Sequence, residues 1–326
     1  MFERYVRQTI LPEVSLDGQA KINDTKILVA GAGGLASSAL QFLVGAGCSN
    51  LTIYDRDIVN ETNLHRQTIY NENHVGLKKV KIAKKLLTKL NSNCDIKAVT
   101  QNINAINASK IVNKHDLILD CGDNFALSYI LSDVCYSLKK PLFSASAIRF
   151  DGYVGGFCEF GPSLRAVFPN LPDNIENCNT AGVFGPVVGV LGSLQAQLAI
   201  NYILGLTPKP IGQMISINLK SYHFSKFRFD QANEPKKSNF KFIDLSQIKK
   251  NDVVIELRDN KEMPILKTNN TIRIPLHEVM EKIVEFDQNE RLVFICRSGV
   301  RSWNAAKSVE DKWRNTISLI ADDTNY

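Results

Sequence analysis

Strand-like and helix-like segments alternate along the first half of the chain. The apolar pattern predicts strands at 26–31, 51–55, 96–100, 116–120 and 141–146, and helices at 34–47, 78–90 and 124–138. Short buried strands that alternate with helices are typical of a parallel sheet with crossover connections. The pattern therefore predicts an α/β fold built on a mostly parallel sheet.

The stretch 177–208 contains no charged residue over 32 positions, so its composition alone would fit a membrane span. However, it contains five glycines and several amide side chains. Pro186 stands where prolines begin helices, and Gly205 stands where glycines end them. We therefore predict a glycine-rich loop followed by a buried helix at about 186–204, and no membrane association.

A second alternating pattern follows a polar stretch. Residues 231–239, QANEPKKSN, contain a proline and almost no apolar side chain, which is typical of a linker. Beyond it, strand-like and helix-like segments occupy 252–257, 275–286, 291–295 and 301–312. The sequence thus predicts two α/β units, over 1–230 and 240–326, with the linker between them.

Composition excludes several classes of protein. Apolar residues make up 44% of the 326 residues and charged residues 22%, which excludes a mainly disordered chain. The formal net charge of +6 is small for a dedicated nucleic-acid binder, so we expect no direct contact with nucleic acid. Seven cysteines without a clustered framework, and a charged N-terminus, predict a reducing, cytoplasmic location.

A glycine-rich turn, GAGGLA at 31–36, stands where a predicted strand meets a predicted helix. Backbone amides at such a turn bind nucleotide phosphates, which makes Gly31, Gly33 and Gly34 candidate binding residues. Asp55 ends the next predicted strand, at the spacing of a carboxylate that accepts hydrogen bonds from ribose hydroxyls. Taken alone, this pattern also fits an NAD-dependent oxidoreductase.

Cationic and amide side chains flank this turn in the sequence. Arg4 and Arg7 precede it, and Asn63, Arg66 and Lys79 follow it. A triphosphate needs more neutralisation than the pyrophosphate of a dinucleotide. The set therefore favours ATP over NAD.

Asp123 follows the strand predicted at 116–120. That position is the carboxyl edge of a parallel sheet, where a carboxylate can hold Mg²⁺ against bound phosphates. We therefore predict a Mg²⁺ site at Asp123.

Six motifs follow the order and spacing of a known family. They are RYVRQ, GAGGLA, DRDIVNETNLHRQ, GLKKVKIA, LILDCGDN and NCNTAGVFGPVVGVLGSLQAQLAINYILG. Over about residues 1–230 the sequence thereby resembles the ThiF/MoeB/HesA family, bacterial relatives of ubiquitin-activating enzymes. The resemblance implies a Rossmann-like, mostly parallel sheet. It also implies a homodimeric adenylyltransferase that uses ATP and Mg²⁺ to adenylate the C-terminal glycine of a ubiquitin-like sulfur carrier protein ending in Gly-Gly.

The resemblance gives each matching residue an expected role. Asp55 would hold the ribose, and Arg66 and Lys79 would hold the phosphates. Asn63 would help to position the triphosphate, and Asp123 would bind Mg²⁺. Arg7 would reach into the site of the partner subunit.

Structural zinc is not expected, although relatives often carry two Cys-x-x-Cys pairs. The positions of the first pair hold Ser163 and Ala166 here, and the segment 228–236 contains no cysteine. Tetrahedral thiolate coordination is therefore impossible at that place. We expect packing to hold that region instead.

Two cysteines are candidates for covalent chemistry. Cys178, in ENCNTAG, matches the family position at which a thiol can take the activated carrier, and a buried structural cysteine is the alternative. Cys296 begins CRSGVRS, in which a tight turn at Gly299 leads into a predicted helix near Arg301. Backbone amides of such a turn would stabilise a thiolate or a persulfide.

The loop that begins at Cys296 resembles that of a rhodanese domain, which carries a sulfane sulfur on its cysteine. Four residues separate Cys296 from Arg301, whereas cysteine phosphatases place five at this point. VIELRD at 254–259 and IPL at 274–276 also resemble rhodanese motifs, although Glu256 replaces the usual Asp. The resemblance implies a small rhodanese-like sulfurtransferase domain at 240–326, and a non-catalytic docking remnant is the alternative.

Together the two units predict one reaction sequence. The first unit makes an acyl-adenylate on the carrier, which is then attacked by a persulfide on Cys296. An upstream sulfur donor such as a cysteine desulfurase supplies that sulfur, and Cys178 releases the thiocarboxylate. Thiamine or molybdopterin biosynthesis or tRNA thiolation would use the product, with thiamine the nearest match. A tRNA dehydratase of the same superfamily, an NAD oxidoreductase and a regulatory binding module stay open as alternatives.

Overall fold

A computed structural model describes residues 3–169, 181–237, 239–259, 262 and 271–322, which form two sheets flanked by helices. The strands are β1 (Lys26–Ala30), β2 (Asn50–Tyr54), β3 (Asp95–Val99), β4 (Leu117–Asp120), β5 (Pro141–Ile148), β6 (Asp151–Cys158), β7 (Gln213–Asn218), β8 (His223–Arg228), β9 (Lys241–Phe242), β10 (Val253–Glu256), β11 (Thr271–Arg273), β12 (Leu292–Cys296) and β13 (Ile317–Ala321). The helices are α1 (Val6–Thr9), α2 (Ser15–Asp24), α3 (Gly34–Ala46), α4 (Lys79–Leu90), α5 (Ala108–Val112), α6 (Phe125–Leu138), α7 (Leu164–Val167), α8 (Gly185–Leu204), α9 (Val279–Lys282) and α10 (Val300–Val309).

The first sheet has eight strands in the order β3-β2-β1-β4-β5-β6-β7-β8. Its first five strands are parallel, as the sequence pattern predicts, and β5 to β8 pair antiparallel. The pattern did not predict β6, because three glycines interrupt its apolar positions. The carboxyl ends of β1, β2 and β4 therefore meet at one edge of the sheet.

Helix α8 packs against α3 and covers one face of this sheet. A Cβ atom at Gly192 would lie 2.2 Å from the carbonyl oxygen of Leu35, so the glycine permits the close approach of the two helices. The buried side chain of Gln195 donates to the carbonyl oxygens of Asp120 (2.7 Å) and Phe143 (2.8 Å). Among the described helices, α8 alone has the length and composition to cross a membrane. Its bounds agree with the predicted helix, and here it packs within the protein.

The second sheet lies where the smaller unit was expected. Its five strands, in the order β11-β10-β12-β13-β9, are all parallel. Every residue of β12 is buried, and the strand ends at Cys296, directly before the turn that leads into α10. The single helix expected at 275–286 is instead three short turns, of which only α9 is α-helical.

One hydrophobic cluster extends through both sheets. It joins residues of the first sheet, such as Leu28 and Phe157, to residues of the second, such as Phe294 and Leu319. At its centre, rings from both sides pack together in a group that we call the aromatic junction: Phe125, Tyr129, Phe240, Phe242 and Trp303. The two units therefore share part of their core.

The segment expected to be a linker is packed against the first unit. Both carboxylate oxygens of Glu234 accept hydrogen bonds from Ser163, from its N–H at 2.7 Å and from its hydroxyl at 2.6 Å. Ser163 is one of the two positions at which the family resemblance would place a zinc-binding cysteine. Hydrogen bonds connect these two segments.

Candidate active site

The glycine turn between β1 and α3 has the geometry that requires glycine. Gly31 adopts a φ of +97°, and a Cβ atom there would lie 2.8 Å from the carbonyl oxygen of Cys121. Gly34, the first residue of α3, approaches Val188 so closely that a Cβ atom would lie 2.6 Å from its Cγ1 atom. The turn therefore brings the backbone of β1 against β4 and aims the N-terminus of α3 at the sheet edge.

We expect Gly31→Ala to lower the stability of the protein by about 2 kcal/mol or more, because the methyl group combines backbone strain with a collision. The midpoint of urea unfolding measures the change. Gly45→Ala is the matched control, since Gly45 is an exposed residue of α3 with no atom within 4 Å of an added Cβ. There alanine should leave stability unchanged or raise it slightly. Equal midpoints for the two variants would contradict the strain at Gly31.

A cavity of about 470 Å³ opens at this edge of the sheet. Its size is in the usual range for small-molecule sites. Residues predicted from separate parts of the sequence line it together: Gly31, Gly33, Gly34, Asp55, Arg66, Lys79 and Asp123. With Asp57, which also lines it, the cavity combines a helix N-terminus, two cations and three carboxylates.

Asp55 directly follows β2 and turns its carboxylate toward the glycine turn. One oxygen accepts from the N–H of Ala32 and the other from the N–H of Asp57, both at 2.7 Å. Burial raises the pKa of Asp55 above its usual value, although Lys79 and these hydrogen bonds act in the opposite direction. These two hydrogen bonds from backbone N–H groups fix the carboxylate at the cavity wall.

Lys79 begins α4 and is nearly buried, with 6% of its surface exposed. Its Nζ atom lies 3.2 Å from Oδ2 of Asp57, whose side chain is largely exposed. Arg66, which is partly exposed, donates to the carbonyl oxygen of Thr62 at 3.1 Å. Two cations therefore border the same cavity and are available to neutralise phosphate.

Asp123 is exposed at the mouth of the cavity, in the turn between β4 and α6. The turn is fixed on both sides. The fully buried Asp120 accepts from the N–H of Gly122 (3.2 Å) and the hydroxyl of Ser144 (2.8 Å). Asn124 caps α6 by accepting from the N–H of Ala126 at 2.9 Å. Burial raises the pKa of Asp120.

Two predicted site residues, Asn63 and Arg7, do not line this cavity within one chain. Asn63 lies in a short 3-10 helix, and Arg7 is an exposed residue of α1. The position of Arg7 leaves its expected reach into a partner subunit untested. Cys178 lies outside the described residues.

The cavity is also lined by residues that the sequence analysis did not single out, among them Gln67, Phe125, Tyr129 and Tyr153. Gln67 is 4% exposed, and among the described residues no donor reaches its Oε1 atom. A buried acceptor without a partner at a cavity wall suits a ligand that carries a donor. The sequence contained one indication that two of these residues act together. Phe125 and Tyr129 are four positions apart, which places both rings on one side of α6.

The turn after β12 surrounds the sulfur of Cys296 with backbone donors. The N–H groups of Gly299 (3.1 Å) and Ser302 (3.3 Å) both donate to Sγ. Gly299 adopts a φ of +86°, which the tight turn requires. Cys296 has no exposed surface in this conformation, and the five other described cysteines are also buried.

Arg301 is held beside this turn by an acidic partner. Its guanidinium donates to both carboxylate oxygens of Glu262, at 2.6 and 2.8 Å, and to the carbonyl oxygen of Leu257. The hydrogen bonds from Arg301 lower the pKa of Glu262 to about 2. Arg301 thus contributes positive charge near Cys296 while its side chain is fixed by Glu262.

The sequence matches a defined family over most of its length. Residues 5–239 match the ThiF family. The chain belongs to the ThiF family. A curated relative in Drosophila persimilis, "Adenylyltransferase and sulfurtransferase MOCS3", is 40% identical over 229 residues, which is 69% of this chain and 51% of the relative. Its counterpart in Drosophila ananassae is 38% identical over 228 residues, with the same coverage. The chain spans about half the length of the curated relatives it matches.

Solved structures similar to this ThiF-family chain share its fold. E. coli MccB with MccA-N7isoASN has a TM-score of 0.62 and 22% identity, and covers 71% of this chain and 72% of its own. E. coli MccB with ATP has a TM-score of 0.58 and 20% identity, over 68% of this chain and 73% of its own. PaaA has a TM-score of 0.60 and 20% identity, over 70% of this chain and 73% of its own. These similarities agree with the mixed α/β, Rossmann-like sheet predicted for the first unit.

Proposed function

We propose that this chain is an ATP-dependent adenylyltransferase that activates the C-terminal glycine of a ubiquitin-like sulfur carrier protein, and that its second unit then transfers sulfur. One observation supports this most directly. The glycine turn, Asp55, Arg66, Lys79 and Asp123, which are far apart in sequence, line a single cavity. The names of the Drosophila relatives, which pair the same two activities, agree with it.

Adenylation fits the charges of the cavity. A carboxylate oxygen of the terminal glycine attacks the α-phosphorus of ATP, the bond to the β-phosphate oxygen breaks, and pyrophosphate leaves. Arg66 and Lys79 stabilise the negative charge that develops on the departing phosphates. Asp55 is positioned to accept hydrogen bonds from the ribose, and the amides at the start of α3 approach a phosphate.

Mg²⁺ is compatible with the residues present. It is usually held by one or two carboxylates together with substrate phosphates, and no cluster of three acidic or other metal-binding side chains occurs in the part of the chain that the structure describes. Asp123 at the cavity mouth would supply one such carboxylate. When bound, the ion would neutralise phosphate charge.

The second unit has the features of a rhodanese-like sulfur site. A persulfide on Cys296 attacks the carbonyl carbon of the acyl-adenylate, AMP leaves, and an acyl disulfide forms. The thiol of Cys178 then attacks the Cys296 sulfur, which releases the carrier thiocarboxylate and leaves a disulfide between the two cysteines. A sulfur donor such as a cysteine desulfurase reloads Cys296 after reduction, so the cycle requires a reducing compartment such as the cytoplasm.

Exchange of labelled pyrophosphate into ATP tests the first half of this proposal. The exchange should depend on a carrier that ends in Gly-Gly, and mass spectrometry of the carrier should then show a C-terminal thiocarboxylate after addition of a sulfur source. The mass identifies which carrier is modified. Deletion of the gene for that carrier then shows whether thiamine biosynthesis, molybdopterin biosynthesis or tRNA thiolation requires it. Exchange that is absent with every carrier would refute the adenylation step.

An apolar surface near the N-terminus supports a homodimer. Helices α1, α2 and α3 and the turn between α1 and α2 expose five large apolar side chains, each at least half exposed: Val6, Ile10, Leu11, Leu16 and Phe42. Apolar patches of this kind are typical of interfaces between proteins. Arg7 lies on α1, next to Val6, and from there it would reach the cavity of the partner subunit.

We therefore expect Ile10→Asp to weaken the dimer, because it places a charge in the apolar interface. Light scattering after gel filtration should show a mass near the 36.4 kDa of one chain, in place of twice that mass. Val284→Asp is the matched control, since Val284 is 64% exposed on the second unit, away from this surface. A dimer that persists in the Ile10 variant would remove this face from the proposal.

A further inference from the structure

Two aromatic side chains of helix α6 contact both the nucleotide cavity and the second unit. Phe125 and Tyr129 line the cavity, and their ring centroids lie 4.3 Å apart. The same two rings contact the indole of Trp303, on α10, with centroids 6.0 and 5.5 Å away. The cavity wall therefore rests on a side chain of the second unit.

Trp303 is itself held firmly. It is 2% exposed, and its ring packs edge-on against Phe240 with centroids 5.4 Å apart. The buried guanidinium of Arg165 lies 4.8 Å from the Tyr129 ring and 5.4 Å from the Trp303 ring. Arg165 is fixed in turn by both carboxylate oxygens of Asp133. A cation in contact with two rings stabilises their relative position.

Trp303 is also next to the turn that holds Cys296. The preceding residue, Ser302, donates its N–H to the Cys296 sulfur. On the opposite side of the turn, a Cβ atom at Gly299 would lie 3.4 Å from Cβ of Ala126, the second residue of α6. Helix α6 thus contacts both the nucleotide cavity and the cysteine turn.

We propose that Trp303 is a positioning residue for the nucleotide site, which couples nucleotide binding at the first unit to the cysteine turn of the second. This inference rests on the proposed binding of ATP in the cavity. Loss of the indole leaves a void behind Phe125 and Tyr129, so the rings relax away from the wall that meets the nucleotide. Because such coupling is reciprocal, a nucleotide that orders the wall also orders Trp303 and the adjacent Ser302 N–H.

Kinetics of pyrophosphate exchange test the positioning role. We expect Trp303→Ala to raise the KM for ATP by about 5-fold or more, within the usual range of coupling between sites, with a smaller change in kcat. Trp303→Phe should restore most of the affinity because it retains an aromatic ring. The matched control is Trp313→Ala. Trp313 is also buried in the second unit, at 6% exposure, but its indole N–H donates to Glu290, away from α6.

An equal rise of KM in the Trp303 and Trp313 alanine variants would show a general loss of structure in the second unit and overturn the proposal. An unchanged KM in Trp303→Ala would overturn it as well. Either result leaves adenylation by the wild-type protein intact. A wild-type protein that binds no ATP in equilibrium dialysis would instead refute the proposed function.

Fluorescence gives a second readout that does not alter the junction. The chain has two tryptophans, so Trp313→Phe leaves Trp303 as the single emitter. Saturation with ATP should shift or quench its emission, and alkylation of Cys296 should change the ATP concentration at half-saturation. An emission spectrum that ATP leaves unchanged, in a variant that still binds ATP, would refute the coupling.

Discussion

Replacement of Asp123 by alanine should lower carrier-dependent pyrophosphate exchange by about 10²-fold or more, the usual effect of removing one electrostatic stabiliser from an active site. Asp123 is exposed at the cavity mouth, so its loss should cost little stability. The Asp123 carboxylate is the predicted protein ligand of Mg²⁺. Without it, the protein would no longer hold the ion that neutralises the phosphates. Exchange rates measured across a range of Mg²⁺ concentrations test this directly.

Asp95 provides the control for that substitution. It is also an exposed carboxylate, and its only described ion pair, with Lys97, is 3.9 Å long. Asp95→Ala should exchange pyrophosphate at the wild-type rate. If the Asp123 variant retained full exchange at low Mg²⁺, the assignment of this residue to the metal would be wrong.

Replacement of Cys296 by serine should separate the two halves of the reaction. Adenylation is proposed for the other unit and should continue, whereas the proposed sulfur transfer to the carrier should fall by about 10³-fold or more, as for loss of a catalytic nucleophile. A hydroxyl cannot carry a persulfide. Thiosulfate-dependent formation of the thiocarboxylate, followed by mass spectrometry, measures the transfer, and pyrophosphate exchange measures adenylation in the same preparation.

Cys94→Ser is the matched control, because Cys94 is a buried cysteine of the first unit that lines no part of the cavity. Normal sulfur transfer by the Cys296 variant would exclude the second unit as the sulfur donor. Since Cys296 has no exposed surface here, the turn from 296 to 301 must open before a donor can load it. Alkylation of Cys296 should accordingly be slower than alkylation of a thiol that is exposed to solvent.

The parts of the fold that depend on local pattern were predictable from the sequence. All of β4 and every residue of β1 after Lys26 are buried, so the sequence shows both strands as short apolar runs. The glycine turn lies between a strand and a helix, where it was expected. Parallel strands place their carboxyl ends at one edge. For this reason Asp55 and Asp123, 68 positions apart, could be assigned to one site before any geometry was known.

Contacts between distant segments were not predictable in the same way. An apolar pattern reports that Trp303 is buried, but it does not identify Tyr129 as its partner. Arg165 is 3% exposed, yet a lone arginine in a sequence is read as a surface residue. Asn63 matched a family motif but lies outside the cavity of the single chain, because a motif fixes the order of residues and not the direction of each side chain.

The aromatic junction also limits how far the two units can be treated as interchangeable modules. A chain shortened at residue 239 would lose Phe240, Phe242 and Trp303, and would expose to water the rings that now lie against them. Phe125 and Tyr129 would then form an exposed apolar patch beside the cavity, which favours self-association. A natural variant without the second unit would therefore need polar side chains at these positions of α6.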